Sequence, residues 1–107
     1  MAKLVSNLSK IANQAPFLAG EVLRQTANDI ASLTKQLTPI DTGDLQRSYR
    51  VEPLSDNVVQ IGSDLEYAPY VEFGTSNQSA QPHLVPAFAQ NEETFKARLV
   101  QAIEKAK

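Results

Sequence analysis

The 107-residue sequence has no cysteine, one histidine, one methionine and only four glycines. Without cysteine, neither a disulfide framework nor a thiolate metal site can be built, which fits a reducing compartment. The lone His83 stands between Pro82 and Pro86 with no carboxylate three or four residues away, so no histidine-based metal motif exists. The glycines are dispersed, which excludes a Gly-rich phosphate loop, and no Gly-x-Ser-x-Gly elbow occurs. No run approaches the ~18 apolar residues of a membrane span. The opening Met1-Ala2-Lys3-Leu4-Val5-Ser6-Asn7 does not read as a signal peptide.

A basic excess is also missing. The net charge of −2 argues against a dedicated nucleic-acid binder. Its distribution is uneven. Residues 1–50 carry six cations against four acids, and residues 51–95 carry seven acids and no Lys or Arg. Residues 96–107 carry Lys96, Arg98, Lys105 and Lys107 against Glu104. An acidic middle with basic ends allows copies of the chain to pair acid against base.

What is present is the composition of an ordinary globular chain, 42% hydrophobic and 21% charged, and the length fits one domain, 1–107. Leu4, Leu8, Ile11, Ala15, Leu18 and Val22 follow helical spacing, which predicts a helix over 3–37. Pro16 removes a donor, so a kink or break is expected near Gln14 to Pro16. That leaves 1–15 as a helical extension and 17–37 as the main core helix. Thr38-Pro39 ends it.

Asp41-Thr42-Gly43-Asp44 then reads as a turn, with Thr42 capping a short helical turn through Leu45 and Gly43 at positive φ. From Ser48, alternation predicts a strand, and Ser55-Asp56-Asn57 turns the chain into a second strand over 58–62. Tyr67-Ala68-Pro69-Tyr70-Val71-Glu72-Phe73-Gly74-Thr75 predicts one helical turn between Pro69 and Gly74, with its aromatics, Phe73 above all, pinned to the core. An edge strand is the alternative. Residues 75–81 read as a flexible loop or an arm to a neighbouring subunit, and 82–86 as extended, with a possible edge strand. A terminal helix follows from Pro86 or Asn91, with Phe88, Phe95, Leu99, Ala102, Ile103 and Ala106 on one face.

No catalytic, cofactor-binding or metal-ligating set stands out. Asp41, Asp44 and His83 are the residues from which a small metal-dependent hydrolase would have to be built, but turn and capping roles account for the aspartates. A helical regulatory module using the Leu4 to Val22 seam is a further alternative.

Three blocks carry a resemblance: Pro39-x-Asp41-Thr42-Gly43-x-Leu45-x-x-Ser48, Tyr67-Ala68-x-Tyr70-Val71-Glu72-Phe73-Gly74-Thr75, and Ala80-Gln81-Pro82-x-Leu84-x-Pro86-Ala87. Over residues 17–105 the chain resembles the tail-component family of long-tailed phages of the HK type, whose members are tail-completion, neck or head–tail joining proteins. It departs at His83, where members often carry an aromatic or apolar residue, and in the extension before Pro16. The resemblance implies an α+β fold, with a long N-terminal helix and a C-terminal helix packed on a small antiparallel sheet.

It also implies a virion protein, present in the bacterial host cytoplasm during assembly, and no enzyme or cofactor. Its copies would form a ring, a hexamer among the possible sizes, beside connector and tail proteins. DNA would pass through the lumen without specific binding, and no membrane is involved. The hairpin 48–62 and loop 75–83 are then the candidate contacts between copies. An acidic lumen using Asp56, Glu66 and Glu72 would let DNA slide.

Overall fold

A computed structural model of the chain describes residues 2–5, 16–40 and 43–106. The main helix, α1, spans Pro16–Leu37. Pro16 occupies its first position, where the missing N–H removes no helical bond. Leu23, Ala27, Ile30 and Ala31 recur at helical spacing and are all buried. Thr26 and Thr34 in the helix, and Thr38 just beyond its end, are also buried. Two of these hydroxyls are satisfied within the helix, Thr34 donating to the Ile30 carbonyl at 2.7 Å and Thr38 to that of Thr34 at 2.5 Å. The helix ends where Pro39 pushes Thr38 out of the α region.

A one-turn helix, α2 (Asp44–Ser48), delivers the chain to strand β2 (Arg50–Ser55), which turns at 56–57 into β3 (Val58–Gly62). The hairpin is the expected one, with Val51 opposite Ile61 and Pro53 opposite Val59, and the pairing is irregular between Pro53 and Ser55. The first strand, β1 (Ala2–Val5), was not anticipated; it pairs antiparallel with β3, Leu4 opposite Val59. The predicted helix over 3–37 is therefore corrected at its start. Leu4 belongs to a strand, because four residues ending in Leu-Val extend the β3 ladder. The rest of the seam, Leu8, Ile11 and Ala15, lies outside the described residues.

The sheet order β1-β3-β2 places β3 at the centre. Val59 and Ile61 are buried from it, whereas every residue of β2 but Val51 is exposed. Pro53, which cannot donate to a ladder, sits on an edge strand where it is tolerated. A six-residue helix, α3 (Ala68–Phe73), and a long one, α4 (Leu84–Ala106), complete the fold. Arg98 of α4 reaches Asp29 at 2.7 Å, and Val22 and Ala102 line one cleft further along, so α1 and α4 run antiparallel. Leu23, Ile30 and Ile61 are fully buried and, with Phe95 and Leu99, join the sheet to both long helices. The architecture is α+β.

Residues 82–86 form no strand among the described residues; α4 already begins at Leu84 and takes Pro86 into its first turn. Proline is accepted there for the reason that applies to Pro16.

Candidate functional site: a sealed histidine cluster beside an open aromatic groove

The first block builds the corner between α1 and the sheet. Gly43 takes φ 84° at the N-cap of α2 and makes no side-chain cap bond. The predicted Thr42 cap, with Asp41, lies outside the described residues, and the N-cap position falls on Gly43. A Cβ there would approach the Arg47 guanidinium to 2.7 Å. Leu45 is buried with Tyr49 and Ala68 in a second small cluster. The Ser48 hydroxyl donates to the Leu45 carbonyl and also meets Ser63, each at 2.6 Å, and this ties the corner to the segment that leaves β3. Asp44 pairs with Arg47 at 2.6 Å on the surface, where such a pair contributes little.

In the second block, the helical reading of 68–73 holds and the strand alternative falls. Pro69 sits in the first turn, and Gly74 ends the helix with φ 79°, its N–H donating to Tyr70 at 2.8 Å. Its ψ of 175° is extended rather than left-handed helical. The aromatics do not behave as expected. Tyr67, Tyr70 and Phe73 are 44%, 59% and 72% exposed, while Ala68 and Glu72 are buried. At about 100° per residue, Ala68 and Glu72 share one face of so short a helix, and Tyr70 and Phe73 fall opposite. Phe73 is therefore no core residue.

Glu72 faces inward because it has a specific partner. Its carboxylate accepts the N–H of His83 at 3.2 Å from both oxygens, of Leu84 at 2.9 Å and of Val85 at 3.1 Å. These are backbone donors that the start of α4 leaves without helical acceptors, so Glu72 caps that helix from eleven residues upstream. Its burial also excludes it from the lining of any DNA channel.

His83 is fully buried beside it. Its Nδ1 lies 2.8 Å from the Gln81 carbonyl and 3.3 Å from Glu72 Oε1. Because a carbonyl only accepts, Nδ1 carries the proton. Nε2 then accepts from the Tyr49 hydroxyl in the neutral ring, and the two rings meet edge to face at 5.2 Å. Burial first, and the Glu72 charge second, push the Tyr49 phenol up to about 12. These three residues are the chemically richest cluster in the fold. All three are shut away from solvent, so they brace α3, α4 and the end of α2 rather than meet a substrate.

The loop after Gly74 folds back on α3. Thr75 and Gln78 exchange backbone bonds, and the Gln81 N–H donates to the Val71 carbonyl at 2.8 Å. A Cβ on Gly74 would meet the Ala80 nitrogen at 2.7 Å and the Gln78 carbonyl at 2.9 Å. Within one chain, the loop expected over 75–81 is tied back on α3 and forms a wall. Between that wall, α3 and the α1–α2 corner lies a groove of about 710 Å³, lined by Pro39, Leu45, Tyr67, Tyr70, Val71 and Gln81 among others. Exposed Leu37 and Ile40 adjoin Pro39 in the chain. All three blocks thus contribute to one open groove, with apolar and aromatic side chains beside the polar Asp44, Gln78 and Ser79. Pro82 is exposed and Pro86 half-buried at the foot of α4.

Of the residues of the hydrolase reading, Asp41 lies outside the described residues, and Asp44 and His83 do not come together. Asp44 is exposed on Arg47, and His83 is sealed against Tyr49 and Glu72. No group of three potential ligands stands together among the described residues. His83 was passed over in sequence because its partners lie 34 and 11 residues away; a lone acid in an aromatic block, upstream of the one histidine, was the only clue.

The sequence matches the family model HK97-gp10-like, a candidate bacteriophage tail component, over residues 2–74. The chain belongs to this family. The match takes in β1 as well as the first two blocks, so the segment before Pro16 is part of the family pattern; the third block lies beyond it. No curated protein and no solved structure matches the chain. The family's description is consistent with a structural protein of a tailed phage.

Proposed function

We propose that the protein is a virion subunit whose copies close into a ring at the head–tail junction, or at the head-proximal end of the tail. The observation that carries this reading is the meeting of the three blocks at one open aromatic groove, while Tyr49, Glu72 and His83 are sealed from solvent. A family of tail components needs surfaces that mate, and Tyr67, Tyr70 and Phe73 are aromatic side chains left in water. A ring needs a heterologous contact, in which two different patches meet around a closed rotation. Connector and tail proteins would flank the ring above and below, and DNA would pass through its lumen without sequence-specific contact. With Glu72 buried, the acidic lumen rests on Asp56 and Glu66, both exposed. Assembly would take place in the host cytoplasm.

The outer edge of the hairpin is a poor joint, because Pro53 and the irregular pairing beside it interrupt the ladder that a neighbouring strand would extend. The groove is the better mating surface. Deleting the gene from a phage genome should leave filled heads and separate tails in electron micrographs, with joining restored in trans. Normal virions from the deletion strain would refute the proposal.

A further inference from the structure

The lining of the groove selects what can lie in it. Among the described residues that line it, Asp44 alone is charged, and Arg47 pairs with it at 2.6 Å. A charged side chain entering the groove would lose water without gaining a partner, so a fitting segment is uncharged. On one side Tyr67 and Tyr70, about one turn of α3 apart, offer ring faces. On the other, Gln78, Ser79 and Gln81 are exposed, and their side chains make no hydrogen bond among the described residues.

Those amides and that hydroxyl are donors, and a segment lying over them has to bring free acceptors. A helix does not, because its carbonyls are bonded internally. A β-strand needs a backbone edge to extend, and these walls provide none. The α3 backbone is helical, Thr75 and Gln78 bond each other, the Gln81 N–H goes to Val71, and the Gln81 carbonyl accepts from the His83 ring. A polyproline II segment meets both demands. It has no internal hydrogen bonds, so its carbonyls stay open, and its proline rings pack on aromatic faces at little conformational cost.

The six prolines of this chain are committed elsewhere. Pro16, Pro69 and Pro86 lie in the first turns of helices, Pro39 lines the groove itself, and Pro53 belongs to β2. Pro82 stands between Gln81 and His83, whose backbone groups are bonded to Val71 and Glu72. The occupant comes from another protein.

We infer that the groove binds an uncharged, proline-rich extended segment of a neighbouring protein, with prolines on Tyr67 and Tyr70 and backbone carbonyls on the Gln78 and Gln81 amides. This rests on the reading of the groove as a mating surface, and it points that surface at a protein flanking the ring instead of at the next copy.

The test is a titration of the isotope-labelled full chain, followed by its amide NMR shifts, with an acetylated and amidated peptide of three Pro-Pro-Gln repeats. A flexible peptide of three Gly-Ser-Gln repeats and an alanine-based helical peptide are the controls. The proline peptide should shift the amides of residues 67–71 and 78–81 and half-saturate at or below about 1 mM, and the controls should not bind. Tyr70→Ala and Gln81→Ala alter exposed side chains, so each should weaken binding about tenfold while thermal melts stay unchanged. No shifts up to about 5 mM, equal binding by either control, or full affinity in both variants would overturn the inference. The deletion phage tests the virion reading separately: unjoined heads, with a groove that ignores the peptide, would remove this occupant alone.

Discussion

Replacing Glu72 by alanine tests how the aromatic helix is held. The carboxylate is 5% exposed and accepts from three consecutive backbone donors at 2.9 to 3.2 Å. A hydrogen bond to a charged group contributes about 1.5–3 kcal/mol, but bonds that share one acceptor group do not add. Loss of an ordinary N-cap costs about 0.5–2 kcal/mol, and here the donors left behind are partly buried. A loss of about 3–4 kcal/mol follows for Glu72→Ala. In a domain of this size that lowers the melting temperature by roughly 10–20 °C. Glu72→Gln keeps one acceptor and loses the charge, so it should fall between the two. The assay is a pair of circular-dichroism melts with native-state hydrogen exchange, in which the amides of Leu84 and Val85 lose protection before the rest of α4. A Glu72→Ala protein melting within about 3 °C of wild type, with both amides still protected, would refute the reasoning.

Phe73→Ala should change stability by less than about 0.5 kcal/mol in thermal melts, since the ring is in solvent; a loss near 3 kcal/mol would mean that it packs inside. Gly74→Ala should cost more than Gly43→Ala. Both need positive φ, but at Gly74 the new Cβ meets backbone atoms at 2.7 and 2.9 Å, whereas at Gly43 it meets the movable end of Arg47; equal melting points would contradict this. The raised Tyr49 phenol makes the folded state hold a proton that the unfolded chain releases near pH 10, so its contribution is intact below that pH. As pH climbs from about 10 to about 12, stability should fall by on the order of 2 kcal/mol. Urea denaturation across that range measures the fall, and its disappearance in Tyr49→Phe assigns it.

Local signals in the sequence were read well where one residue dictates its own backbone. Pro39 stops α1, Gly43 takes positive φ, Pro69 and Gly74 bracket α3, and the alternation after Ser48 makes the hairpin. These are short-range steric effects. The failures concern which way a side chain faces. Phe73 and Glu72 are neighbours, and hydrophobicity alone would bury the phenylalanine. The start of α4 offers three donors without helical acceptors, and the Glu72 carboxylate takes all three, so the acid goes in and the ring goes out. Likewise, Ala2–Val5 scans as part of a helical seam, and only its pairing with Val58–Ile61, more than fifty residues on, makes it a strand. His83 joins Tyr49 by the same kind of distant contact. Such partners leave no spacing to read.

The central claim is that this fold is a mating part of a phage particle, and an inventory of purified virions by quantitative mass spectrometry tests it most directly. The account predicts the intact chain in every preparation, at a fixed small number of copies relative to the connector. Virions fully joined and infectious, yet free of this chain, would contradict it.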